Sequence, residues 1–432
     1  MKNKLSLIKN IVCFSMAFFL PIHIGISNVF LVLFFVVSTY LVITEKRFHS
    51  IKIRALYFSL IPIVLLYIFG LFFSFPIFKG IDIIGRNISF LLCPLIFSWF
   101  NNQELTKIRK SLYGGLILGS ILSIIILLIN NFLNYFATRP FLKFDDEIFN
   151  YYYTYNYFTS SLEIHPTYLG VYFVIALVIL IRDFFGRGQI NYYLKIIGIV
   201  ILSAGILFLN SRMVYFLFSV AVIGAILYSA ILFFRKRYYK QLLILTIVSV
   251  CGIFLSFNLI SKTFIVSRFT DELAWELSDQ VDTSYNNKNV VADSRIARWA
   301  TVLKTISEKP IFGHGTHSEK DILAAGYKKD GLLISYKNRY DAHNIYMSFA
   351  VEFGIVGLFI LLFYLLSNLW IAIKAKDLEY AFLIFAIISV GCFESYLKNN
   401  AAITFVAMFG SMLLFYNLDK NSKNKVRCKL KK

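Results

Sequence analysis

The chain has 432 residues, of which 58% are hydrophobic, 18% aromatic and only 16% charged. A soluble domain carries roughly 25% charged residues, whereas apolar runs of about 18 or more residues recur here along the whole length. Composition therefore excludes an ordinary soluble enzyme and points to an all-α integral membrane protein. The formal net charge of +20 raises nucleic acid as a partner, but that footprint is a basic face on a soluble domain, and none is visible.

The first residues, MKNKLSLIKNIVCFSMAFFL, join a basic start to an apolar run without a small-x-small cleavage site. They read as an uncleaved first span. Hydropathy places spans at roughly 10–24, 26–44, 55–74, 84–101, 112–136, 165–182, 193–210, 212–234, 241–260, 343–372, 378–395 and 400–417, about twelve in all. The expected organisation is a membrane domain over 1–260 with an outer loop at 137–164, a large loop over 261–342 before the tenth span, spans over 343–417 and a basic tail over 418–432.

Charge tests this layout. With the N-terminus in the cytoplasm, 26 of the 44 Lys and Arg fall on the cytoplasmic side and six on the short outer segments, as the positive-inside rule requires. The large loop holds the other twelve with eleven acids, and is nearly neutral. Most of the net charge thus lies at the cytoplasmic membrane surface, where anionic lipid is its natural partner. The five cysteines, Cys13, Cys93, Cys251, Cys392 and Cys428, show no metal-ligand spacing and no disulfide framework.

One polar island interrupts the hydrophobic chain, from Asp293 to Leu358. A helix over Arg295–Ile306, capped by Asp293 or Ser294, gathers Ile296, Trp299, Val302, Leu303 and Ile306 on one face at about 100° per residue. Arg295 falls within that face and Arg298 on its flank. An arginine in an apolar stripe needs a partner. It is either a snorkelling or structurally paired group, or a guanidinium gripping an anion such as phosphate. Pro310 ends the helix, Gly313 and Gly315 permit a tight turn, and His314 between them reads as a solvated turn histidine.

His343 stands at the entry of the next span with Asp341 as candidate N-cap. Near a helix N-terminus the neutral imidazole is favoured, which suits a general base; the alternative is an interfacial capping histidine. Asn344 can orient it, and Glu352 reads as a structural partner on another helix. Arg212, between the apolar runs of ILFLNSRMVYFLF, is a further suspect, or else merely marks a span end. Arg86 and His165 are weaker candidates; His165 precedes Pro166 at the start of a span.

The stretches SRIARWATVLKTISEKPIFGHG and HNIYMSFAVEFGIVGL resemble the signature of the O-antigen ligase and O-antigen polymerase superfamily. The resemblance rests on Arg295 four residues before Trp299, the PIxGxG turn at Pro310–Gly315, His343-Asn344, and E-x-G-x-x-G-L from Glu352 to Leu358. Ser211-Arg212 is similar to the family's SR element, although Met213 follows where a small residue is usual. The resemblance implies a GT-C-like glycosyltransferase of the bacterial inner membrane, metal-independent and without a cofactor, with both termini cytoplasmic. It implies a glycan donor on undecaprenyl pyrophosphate at the periplasmic face. The acceptor is lipid A–core in ligases, a second lipid-linked unit in polymerases, or protein serine in related enzymes; the His-Asn pair favours a ligase. Arg212, Arg295 and Arg298 would bind the pyrophosphate, His343 would take the acceptor proton, and Asn344, Trp299, His165 and Arg86 would support them. The competing class is a transporter without chemistry, which would need ionisable residues along a path through the bilayer rather than at one face.

Overall fold

The computed structural model describes residues 2–46, 53–74, 77–137, 146–185, 191–240, 264–281, 283–284 and 291–429. The regular elements among the described residues are helices apart from one two-residue ladder that pairs Thr283–Ser284 with Val291–Ala292. Among them, eight helices are long and apolar enough to cross a membrane: Ile24–Thr44, Ile77–Ser98, Asn102–Ala137, Pro166–Phe185, Tyr192–Leu209, Arg212–Arg235, Ile345–Ala375 and Asn400–Lys420. Ile61–Phe73 and Leu378–Gly391 are apolar but shorter. The span expected over 241–260 lies outside the described residues. The segment expected from 84 instead begins at Ile77, and a turn at Asn87–Ile88 breaks it.

The chain divides into two units, Met1–Leu116 with Trp275–Lys432, and Ile117–Ala274. In the first unit, Lys2–Phe19 and Ile24–Thr44 form a helical hairpin. The last apolar segment is buried nearly throughout. Residues expected at the cytoplasmic face meet in one clasp. Arg109 donates to both carboxylate oxygens of Asp377 at 2.7 and 3.0 Å and lies 3.2 Å from Glu379. Lys420 donates to the Ala375 carbonyl at 3.0 Å.

A small satellite core in this unit binds the loop helices Arg295–Glu308 and Glu319–Lys329 to the start of Ile345–Ala375. Val302, Leu323, Tyr327, Leu332, Ala342 and Val351 form it, with Ala297, Ile306, Tyr340 and Met347 packed around. Each fully buried aliphatic side chain contributes about 1.5–3 kcal/mol, so the cluster fixes the residues on both sides of it.

The Pro310–Gly315 turn docks into a break in the long helix. Gly354 has φ 62° and ψ −155°, a region open essentially to glycine alone. The break detaches the Ile355 and Val356 N–H groups from Val351 and Glu352, and the turn supplies their partners. Ile355 N donates to the Pro310 carbonyl at 2.8 Å and Val356 N to that of Ile311 at 3.4 Å, while His314 N and Gly315 N donate to the carbonyls of Val351 and Glu352 at 2.9 and 2.8 Å. Every backbone group freed by the break is thereby satisfied, as burial demands. A Cβ on Gly313 would run into Glu352 and Phe353, and one on Gly354 into Ile311. His314 is not a solvated turn residue: it is buried, with Nε2 3.1 Å from the Thr305 carbonyl, because the turn presses it against the preceding helix.

In the second unit, Pro166–Phe185 packs against Tyr192–Leu209 and Arg212–Arg235. Gly170 admits Val214, and Gly205 admits Ile124.

Candidate functional site

The loop helix starts at Arg295, with Ser294 as N-cap accepting from Ala297 N at 3.3 Å. Asp293 instead accepts from Ser335 N and Oγ at 2.8 and 2.6 Å. The helix ends at Glu308; Lys309 takes φ −137° and ψ 71°, outside the helical region as its place before Pro310 requires. Its buried face differs from the one hydropathy picks out. Ile296 and Leu303 are exposed, and the buried residues are Arg298, Thr301, Val302 and Thr305. Threonine satisfies its own hydroxyl: Thr301 donates to Asp330 at 2.6 Å and Thr305 to the Thr301 carbonyl at 3.0 Å. A stripe of paired threonines is thus as buriable as an aliphatic one. The consequence is that Arg298, not Arg295, is the deeper arginine.

Arg298 is 9% exposed. It makes no ion pair and no side-chain hydrogen bond among the described residues, and its Nε is buried without a partner. Its guanidinium lies over the Tyr340 ring, 5.2 Å from the centroid. Burial, then the Arg295 charge beside it, holds its pKa below the ordinary value. Arg295 is better served: Nη1 donates to the Phe393 carbonyl at 3.2 Å, the guanidinium lies 5.7 Å from the Phe393 ring, and Nε is 3.7 Å from Glu276. That last distance is ionic contact without a hydrogen bond.

Tyr340 joins Arg298 to the histidine, its ring edge-on to His343 at 5.9 Å. His343 lies just before the long helix, not in it, with φ 45°. The N-cap is Asn344, whose side chain accepts from Tyr346 N and Met347 N, not Asp341. Two carboxylates face the His343 Nδ1, Asp341 at 3.6 Å and Glu394 at 3.7 Å. Asp341 also accepts from His343 N at 2.9 Å. Burial opposes the charged Asp341, yet the imidazole and that N–H hold its pKa below the usual carboxylate value. Both carboxylate contacts with His343 are ionic, without a hydrogen bond, and both lie on the Nδ1 side of the ring, not the Nε2 side.

Trp299 and Asn344 position this group. Trp299 Nε1 donates to the Ala342 carbonyl at 2.9 Å, and Asn344 Nδ2 to the Cys392 carbonyl at 3.0 Å. Cys392–Phe393–Glu394 thus serves Asn344, Arg295 and His343 in turn. Hydropathy gives no sign of this floor, since it ends a span with no polar pattern.

Glu352 is a structural partner, 3.0 Å from Lys398 Nζ. Lys398 is also 2.5 Å from Glu319, whose other oxygen accepts from Ala342 N at 3.0 Å and Ser348 Oγ at 2.6 Å.

Arg212 and His165 belong to the second unit. Arg212 opens the Arg212–Arg235 helix after the Ser211 N-cap, donates to the Arg268 carbonyl at 3.5 Å and is 3.8 Å from Glu272. The organising residue there is Arg268, which went unnoticed in the sequence. It bonds Glu272 at 2.8 Å and the Asn210 carbonyl at 2.8 Å, and stacks 4.0 Å from the Tyr155 ring centroid. Tyr155 Oη lies 3.4 Å from His165 Nε2. Only the fold, which returns Phe264–Glu276 to the Asn210 turn, makes this residue visible.

Residues 197–362 match a family model described as O-Antigen ligase. The matched segment runs from the Tyr192–Leu209 helix through the loop helices and His343 into the long helix. A protein of Haemophilus influenzae, described as an uncharacterized protein, is 26% identical over 144 residues. That alignment covers 33% of this chain and 36% of the relative, so the chain spans about a third of the relative's length.

Proposed function

We propose that this chain, a member of the O-antigen ligase and polymerase superfamily, transfers a glycan from undecaprenyl pyrophosphate to lipid A–core at the periplasmic face of the bacterial inner membrane. Arg298 and Arg295 bind the donor pyrophosphate and stabilise the charge that develops on it as the anomeric carbon–oxygen bond breaks. His343 Nε2 accepts the proton of the attacking acceptor hydroxyl while Asp341 and Glu394 stabilise the imidazolium. A single displacement inverts the anomeric centre. The apolar spans hold the donor's lipid tail, which confines the reaction to the membrane surface. A donor-binding role for Arg212 is proposed on the resemblance of Ser211-Arg212 to the family's SR element alone, and the termini are proposed as cytoplasmic.

The observation that carries this reading is a buried guanidinium with no acid partner among the described residues. It stands beside a second arginine and one aromatic ring away from a histidine backed by two carboxylates. A buried cation without an ion pair is costly, and an anionic substrate offsets that cost.

The test is purified His343→Ala protein with lipid-linked donor and lipid A–core acceptor, with insertion and thermal stability checked in parallel. Transfer falls to background while the protein inserts as wild type. Full activity in that variant removes His343 as base. Deleting the gene leaves polymerised glycan on the carrier lipid; single repeat units on core would instead identify a polymerase.

A further inference from the structure

The first unit contains a cavity of about 180 Å³ that the proposed donor grip does not use. It is far larger than the ~10–15 Å³ one water needs and smaller than the ~300–1,000 Å³ of drug-sized sites, a size for one sugar ring with a small substituent. Its charges are layered. On the floor, one ammonium serves two carboxylates: Lys398 bridges Glu319 and Glu352 at 2.5 and 3.0 Å. At the rim stand Arg86 and Lys320, both exposed, neither in an ion pair among the described residues. Between rim and floor lies His317, whose pKa burial and the surrounding cations Lys79, Lys398, Arg86 and Lys320 push down. The rim therefore presents two exposed cations without an ion pair among the described residues, above a polar floor.

One residue ties the cavity to the chemistry. Asp341 lines it and also faces His343 Nδ1 at 3.6 Å. Arg298 reaches His343 through a different residue, Tyr340.

We propose that this cavity is an acceptor subsite that takes an anionic sugar, its phosphate or carboxylate held by Arg86 and Lys320 and its hydroxyls by the floor. The assignment to the acceptor rests on the transfer reaction proposed above. Occupancy sets the acceptor hydroxyl beside His343, so Arg86 changes from a general supporting residue to a determinant of acceptor choice.

The experiment compares wild type, Arg86→Gln, Lys320→Gln and Arg86→Lys, at saturating donor, with a phosphorylated core acceptor and the same acceptor after phosphatase treatment. Each Gln variant raises KM for the phosphorylated acceptor about tenfold or more, Arg86→Lys recovers most of the loss, and none changes KM for the dephosphorylated one. Equal effects on both acceptors, or a loss confined to kcat, overturn the proposal. Glucose 6-phosphate, with glucose as control, gives a binding readout independent of turnover. Protection of the wild type by the phosphate alone, lost in Arg86→Gln, supports the subsite even if no transfer is found, in which case the transfer reading is what fails. In nanodiscs with and without anionic lipid, an Arg86 effect that depends only on the lipid assigns the rim to a headgroup and also overturns the acceptor assignment.

Discussion

Replacing Arg298 by methionine is expected to make the protein more stable and unable to hold its donor. Arg298 is 9% exposed and unpaired among the described residues. Breaking a buried ion pair costs about 3–5 kcal/mol, largely because one charge is left uncompensated, and Arg298 carries such a cost in the free protein. Burial and the Arg295 charge hold the Arg298 pKa below its ordinary value, but a guanidinium does not lose its proton in proteins, so deprotonation does not relieve the cost. Methionine keeps the length and flexibility of the stem, and a volume-conserving swap costs less than about 1.5 kcal/mol. The lost contact with Tyr340 is worth about 0.5–2 kcal/mol. The balance favours the variant by about 1–2 kcal/mol, read as a thermal shift upward of a few degrees in detergent. Inorganic pyrophosphate at ten times its Kd adds about 1.4 kcal/mol to the wild type and nothing to the variant. A variant less stable than wild type by about 1 kcal/mol, or one that keeps the pyrophosphate shift, would refute the reasoning and make Arg298 a structural residue.

Gly354→Ala is expected to destabilise the first unit by about 3 kcal/mol or more. The change adds a Cβ against Ile311 at a φ/ψ that itself costs about 1–3 kcal/mol for a non-glycine residue; wild-type yield and melting temperature would count against the interlock. Asp341 has a folded pKa below its ordinary value, so its stabilising contribution is full above about pH 4 and is lost as pH falls through the folded value. Asp341→Asn should therefore be less stable at pH 6 and flatter between pH 6 and 3; parallel melting profiles for the two proteins would remove that coupling.

The helical architecture was legible because a membrane imposes it: runs of apolar residues and alternating basic loops leave few other folds. Arg86, Lys320, Asp341 and Lys398 line one cavity, and Arg109, Asp377 and Glu379 close one clasp. What hydropathy misjudged was the depth of the two arginines, because it scores threonine as polar whether or not its hydroxyl is already bonded. Glu394 and Arg268 were invisible for a different reason. Each is brought to its partner by the path of the chain and not by spacing along one helix, so no local period reveals it.

The motif at Pro310–Gly315 and the one at Glu352–Leu358 are distant in sequence but form a single interlock. Glycine is needed at 313 and 354 because the two backbones touch there, and the four hydrogen bonds between turn and helix leave little freedom to slide. That fixes the first two turns of the long helix, and with them His343 and Asn344, against the helix that carries Arg295 and Arg298. In the proposed reaction a base and an anion grip must keep their spacing to within fractions of an ångström while a bulky lipid-linked substrate enters from the bilayer. Backbone hydrogen bonds supply that rigidity without side chains, leaving the side chains around the site free to face substrate. The same reasoning explains why a membrane-crossing helix is broken at all: its break costs little when another segment satisfies every freed group, and it gives the loop a point of attachment at the level of the chemistry.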